Sequence, residues 1–185
     1  MSWNTLLGIA STCAFLLPMT LIMAGRLYQN RSLLALFLYF LLVFVYNLMT
    51  EGFLPVSIGW RRGFGTLVNY LDAPLMLIFL LFFCVQQRKR NAILITLVAL
   101  IVFELAVGIV YRFSARSVHF VLGPGILSIL VFSFMAFLQQ LKQTILRNRR
   151  YGNTVMSASV LFTYACYALI YVFYYLLRTP SVSDV

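Results

Sequence analysis

The side chains that could do chemistry in this chain are few. Its acids are Glu51, Asp72, Glu104 and Asp184, and it has a single histidine, His119. Glu104 has the sharpest meaning because it stands inside the apolar run 92–111. A carboxyl group at such a depth costs roughly 2.5 to 3.5 kcal/mol on insertion scales, so the fold must compensate it. Arg112 is eight residues on, about 12 Å along one straight helix, and out of contact. A partner is expected from another element, with Arg61, Arg62, Arg116 and His119 as candidates. The alternative is a neutral Glu104 that donates a hydrogen bond to Asn47, Asn69 or a tyrosine. With no ligand to serve, Glu104 would be a polar clasp between helices, worth about 0.6 to 2 kcal/mol.

Asp72 lies two residues before Pro74, which suits either a helix cap or a ligand-orienting carboxylate. Glu51 sits beside two arginines at a span edge and reads as a solvated charge. His119, near the start of an apolar run, suits a hydrogen-bonding interface residue or an acid-base group. Arg112 and Arg116 are four apart, on one helix face if the fourth helix extends that far, and such a pair can hold a carboxylate or phosphate. Tyr164, Tyr167, Tyr171 and Tyr174 recur at steps of three and four, with Tyr175 beside them. Tyr174 and Tyr175 suit an interfacial belt. Tyr164 and Tyr167 are too deep for one, so their hydroxyls need partners in the bundle or line a cavity.

Several chemistries are excluded. Cys13, Cys84 and Cys166 form no Cys-x-x-Cys pair, and one histidine cannot build paired haem ligands or a multi-histidine zinc site. Retinal attachment needs a lysine within a span, whereas Lys89 and Lys142 lie outside the apolar runs. No Gly-x-Ser-x-Gly elbow or Walker loop occurs. No metal and no cofactor are expected.

The elements that must position these residues follow from composition. The 185 residues are 63% hydrophobic and 10% charged, with a mean hydropathy of +0.96. A soluble domain is roughly half apolar and a quarter charged, so a water-soluble globule is excluded. The expected fold is an all-α integral membrane protein, a single domain (residues 1–185) built as a bundle of six transmembrane helices over about 6–25, 33–50, 66–85, 92–111, 118–138 and 154–177. The Met-Ser-Trp-Asn start lacks the positive region of a secretory signal, so 6–25 is read as a retained span. The third span is extended back to Thr66, with a kink at Pro74. Its rival starts at Pro74 and leaves 51–65 as an interfacial or re-entrant segment. Gly123, Pro124 and Gly125 predict a bend or local unwinding in the fifth span. Residues 139–153 either prolong that helix or lie along the membrane surface.

Fourteen Lys and Arg against four acids give a net charge of +10. In a chain this apolar, the excess belongs to loops beside anionic lipid and not to a nucleic-acid partner. Nine basic residues follow spans one, three and five (Arg26, Arg31, Arg88, Lys89, Arg90, Lys142, Arg147, Arg149, Arg150). Five are assigned to the other side (Arg61, Arg62, Arg112, Arg116, Arg178). The bias places both termini outside a cell (inner) membrane, with Trp3 and Trp60 as anchors on that face.

In this topology Asn47, Asn69, Asp72, Glu104, Arg112, Arg116 and His119 share the outer half. The function expected is a transport or receptor subunit that holds a small anionic or amphiphilic ligand in one polar pocket there. Glu104 and Asp72 would orient the ligand, the arginines would meet its negative group, and Tyr164 and Tyr167 would wall the site. The alternatives are a membrane enzyme acting on a lipid or isoprenoid by acid-base chemistry, and an accessory subunit of a larger complex. Expected partners are the bilayer, the ligand, and another membrane protein or a second copy of the chain.

Overall fold

The computed structural model describes residues 3–147 and 151–173. Six helices follow in order: α1 (Trp3–Ala24), α2 (Arg31–Thr50), α3 (Ile58–Phe83), α4 (Gln87–Val110), α5 (Ala115–Arg147) and α6 (Tyr151–Tyr171). A 3-10 turn, Leu27–Gln29, joins α1 to α2. Among the described residues there is no strand. Helices α2 to α6 are long and apolar enough to cross a membrane, while the apolar stretch of α1 is the shorter Gly8–Ala24. Leu17, Val98, Val102, Ile109, Leu127 and Phe162 point outward. A surface this apolar suits hydrocarbon and not water, and the chain has the build of a multi-pass membrane protein.

Helix α3 is the centre, packing on α2, α4 and α5, while α1 packs on α2 and α6 on α5. Leu77, Phe79 and Leu80 of α3 are fully buried. They join Ala35 and Tyr39 of α2, Ile93 of α4, Ile129 of α5 and Tyr164 of α6 in one core. Local signals fix the ends. The Asn30 side chain accepts from the Ser32 N–H at 3.1 Å and caps α2. The Ser32 hydroxyl in turn donates to the Phe79 carbonyl at 3.1 Å, tying the start of α2 to the end of α3. Ser57 caps α3 by accepting from the Trp60 N–H.

Helix α3 starts at Ile58 and runs unbroken through Pro74, so residues 58–65 are its first two turns and not a re-entrant segment. The basic run Arg88, Lys89 and Arg90, expected in a loop, instead occupies the first turn of α4, and the connection shrinks to residues 84–86. Cations are unfavourable at a helix N-terminus. Lys89 offsets this by donating to the Met135 carbonyl at 3.4 Å and to the Gln139 side-chain oxygen at 3.1 Å. Those acceptors lie on α5, which continues to Arg147, so residues 139–147 prolong that helix while 151–153 already belong to α6.

Two expectations are corrected. Helix α4 stops at Val110, so it does not carry Arg112 and Arg116 on one face. Its end is a Schellman motif: the Phe113 N–H donates to the Gly108 carbonyl at 2.8 Å and the Arg112 N–H to the Ile109 carbonyl at 3.3 Å. Arg112 and Phe113 take left-handed φ values of 53° and 49°, and Gly108, lacking a side chain, leaves room for the Phe113 ring folded against it. The second concerns local unwinding at Gly123, Pro124 and Gly125, one of the two forms expected there: α5 is continuous through them. These glycines serve close approach. A methyl group at Gly125 would stand 2.9 Å from the Ala73 Cβ of α3, and one at Gly123 would stand 2.8 Å from the Tyr171 hydroxyl of α6.

Small residues let membrane helices meet closely. Gly125→Val is therefore expected to lower the melting temperature of the detergent-solubilised protein by the equivalent of about 1 to 3 kcal/mol, the typical cost of overpacking. Gly59→Ala, in open space, is expected to change it little. Equal melting of the two variants would refute the close contact between α3 and α5.

Candidate functional site

Four helices enclose a cavity of about 310 Å³ near the end of the bundle that carries the α2–α3 connection. Each contributes one face. Tyr39, Val43, Tyr46 and Asn47 come from α2, Val68, Asn69 and Asp72 from α3, Leu122 and Ile126 from α5, and Tyr167 and Tyr171 from α6. Spacings of three and four within each set are what a helix needs to present one stripe. Gly65 makes room for the Tyr46 ring, since a methyl group there would meet it at 2.7 Å, as Gly123 does for Tyr171.

Asp72 is the ionisable group of this cavity. Its carboxylate accepts a hydrogen bond of 3.0 Å from the Tyr164 hydroxyl, across 92 positions of sequence. Tyr164 is 1% exposed and stands behind the cavity as a fixed support. Its ring meets Tyr167 edge-on, with centroids 5.6 Å apart. Tyr39 interacts with both Asp72 and Tyr167, so three phenols gather round one carboxylate. The Asn69 amide donates to the Gly65 carbonyl at 2.8 Å, which leaves its oxygen available to the cavity. Tyr171 donates to the backbone carbonyl of His119 at 2.9 Å and ties α6 to α5.

Glu104 is elsewhere. It lines a second cavity of about 490 Å³ between α3 and α4, with Gly63, Thr66, Leu67, Tyr70, Leu71, Pro74, Ile101, Leu105 and Phe113. On a helix of 3.6 residues per turn, Tyr70 and Asp72 are about 160° apart. The two cavities therefore open on opposite faces of α3, and the carboxyl groups expected to share a pocket are divided between them. Glu104 is 4% exposed and faces inward, away from lipid.

No family model, curated protein or solved structure matches the chain. The site must be read from its own geometry.

Of the residues singled out from sequence, Asp72, Asn69, Asn47 and Tyr167 line one cavity, with Tyr164 bonded to its carboxylate. Glu104 lines the other, and Arg112 lies exposed in the turn after α4. His119 is exposed, and its backbone carbonyl accepts from Tyr171 of the first cavity. The side chain of Arg116 lies outside the described residues, as do Arg149, Arg150, Tyr174, Tyr175, Arg178 and Asp184. Glu51 is exposed and lies over Gly8 of α1. Among the described residues no three His, Cys, Asp or Glu side chains stand together to hold a metal. Sequence reading missed Tyr39, Tyr46 and Tyr70. The seven-residue step from Tyr39 to Tyr46, with Val43 and Asn47 on the same stripe, was the signal for the first two. Nothing in the local pattern marked Tyr70.

The Tyr164 bond to Asp72 is expected to couple the two residues energetically. Tyr164→Phe should destabilise the fold by about 0.6 to 1.7 kcal/mol, and adding Tyr164→Phe to Asp72→Asn should cost less than in the wild-type background. Reversible unfolding in mixed micelles measures both steps. Strict additivity in that cycle would show that the bond contributes nothing.

Proposed function

We propose that this chain is a transport or receptor subunit of a cell membrane, with six spans and both termini outside, and that it binds a small amphiphilic ligand in the Asp72 cavity. One observation carries the reading: the cavity is lined by a carboxylate, four phenol rings and two amides, and by no Lys, Arg or His among the described residues. A volume of about 310 Å³ is at the lower end of the range of about 300 to 1,000 Å³ that small-molecule sites occupy.

The charge of the lining selects between ligand classes. An anionic group would need the arginines, and neither Arg61, Arg62 nor Arg112 lines the cavity. A carboxylate supported by the phenols of Tyr164 and Tyr39 and flanked by aromatic faces suits the opposite charge. An ammonium group gains Coulomb attraction from Asp72 and cation–π contact from Tyr39, Tyr46, Tyr167 and Tyr171, about 0.5 to 2 kcal/mol per ring. Val43, Val68, Leu122 and Ile126 supply the apolar wall for the rest of the ligand. The fixed hydrogen bonds of Tyr164 and Tyr171 hold two of the phenols in place before the ligand arrives.

Titration of the protein in maltoside detergent with choline and with its uncharged isostere 3,3-dimethyl-1-butanol tests this. Choline is expected to bind at least tenfold tighter. Asp72→Asn and Tyr46→Leu should each weaken it about tenfold, Tyr46→Phe should retain it because the ring face remains, and Arg112→Ala should leave it unchanged. Equal affinity for the two isosteres, or no binding of either, would overturn the reading.

A further inference from the structure

The cavity between α3 and α4 is separate from the Asp72 site and contains polar groups that the protein itself does not satisfy. Its walls are Leu67, Leu71, Pro74, Ile101, Leu105 and Phe113. Two of the residues that border it, Glu104 and Tyr70, each carry a buried oxygen without a hydrogen-bond partner, Oε1 and the phenol hydroxyl. Their residues are 4% and 9% exposed. A polar atom left unpaired in such surroundings is costly, and native folds rarely keep one without a use. Here two of them border one cavity of about 490 Å³.

The rim indicates where a ligand would enter. Leu67, Leu105 and Phe113 are 48%, 51% and 50% exposed, on the outer surface of the helix pair. In a membrane that surface meets hydrocarbon, so the cavity opens sideways into the lipid phase. The Phe113 ring, held at the mouth by the turn after α4, meets the Tyr70 ring at a tilt of 53°, with centroids 5.5 Å apart.

We infer that this cavity is a second binding site and that its ligand is a lipid alcohol, an apolar chain or ring system ending in one hydroxyl. The two oxygens select the head group. The phenol of Tyr70 has a proton to donate and Oε1 of Glu104 has lone pairs to accept with. An alcohol answers both, donating to Glu104 and accepting from Tyr70. An ester or ketone can only accept and leaves Oε1 unpaired. An ammonium would carry its charge into a slot whose walls are almost wholly apolar. A fatty carboxylate would have to give up the hydration of its own charge between apolar walls. The apolar walls and lateral mouth suit the chain that such an alcohol carries.

A matched series of fifteen-carbon probes tests this: farnesol, farnesyl methyl ether, which cannot donate, and the hydrocarbon farnesene. Binding to the detergent-solubilised full chain is followed by native mass spectrometry. Farnesol is expected to bind about tenfold tighter than the ether, with farnesene weaker still, the change expected when a buried polar group is left unpaired. Tyr70→Phe, which keeps the ring, should weaken farnesol about tenfold, and Glu104→Leu should weaken it further. Tyr46→Leu, which alters the Asp72 cavity on the α2 side, should leave farnesol binding unchanged, so that failure here is separable from failure at the Asp72 cavity. Equal binding of farnesol and farnesene, or farnesol binding unaltered in Tyr70→Phe, would overturn the inference and leave only an apolar slot. Loss of farnesol binding in Tyr46→Leu would also overturn it, by showing that the alcohol occupies the other cavity.

Discussion

A carboxylate held among apolar helices is the constraint around which this end of the bundle is built. Asp72 sits on the central helix and takes its hydrogen bond from Tyr164, a residue of the last helix. That one contact joins parts of the chain 92 residues apart, and it requires α6 to lie close to α3. Hydrogen bonds between membrane helices contribute modest energies, so packing must provide most of the hold. Here the packing comes from glycines. Gly125 allows Ala73 to approach, Gly65 admits the ring of Tyr46, and Gly123 admits that of Tyr171. The aromatic lining and the close helix contacts are thus one arrangement.

Helix α3 borders two cavities because it is surrounded. One stripe presents Val68, Asn69 and Asp72 toward α2, α5 and α6, and the opposite stripe presents Leu67, Tyr70 and Pro74 toward α4. The chemistry differs accordingly. Toward α6 the carboxylate is supported by a phenol, in an aromatic chamber suited to positive charge. Toward α4 a carboxyl oxygen and a phenol stand without partners in an almost wholly apolar slot. The helix backbone is the rigid element common to both, so each site is formed by side chains at fixed separations and not by loops.

The turn after α4 shows how local geometry redirects residues that look functional by type. A Schellman end with Arg112 in the left-handed region turns the chain back and carries the guanidinium group to the surface. Phe113, the next residue, covers Gly108 and becomes part of the second cavity. An arginine placed near a carboxyl group by sequence distance is thereby removed from it by one tight reversal.

Composition and apolar run length determined the helical, multi-pass architecture, because in hydrocarbon every backbone polar group must be paired within its own segment. The place of Asn47, Asn69, Asp72 and Glu104 within apolar helices was legible too, since each stands in a long apolar run. The phenol stripe of α6 was legible from its steps of three and four. What sequence left open was azimuth between helices: Asp72 and Glu104 were placed at one level, but which face of α3 turns to α6 and which to α4 depends on contacts between segments far apart in the chain. Glycine 125 read as a break because local propensity treats glycine beside proline as a weak point, whereas the approach of Ala73 uses it as clearance. The division of the polar residues into two cavities, and the partners of Asp72, were decided only by tertiary packing, which sets the directions in which side chains at equal depth face one another.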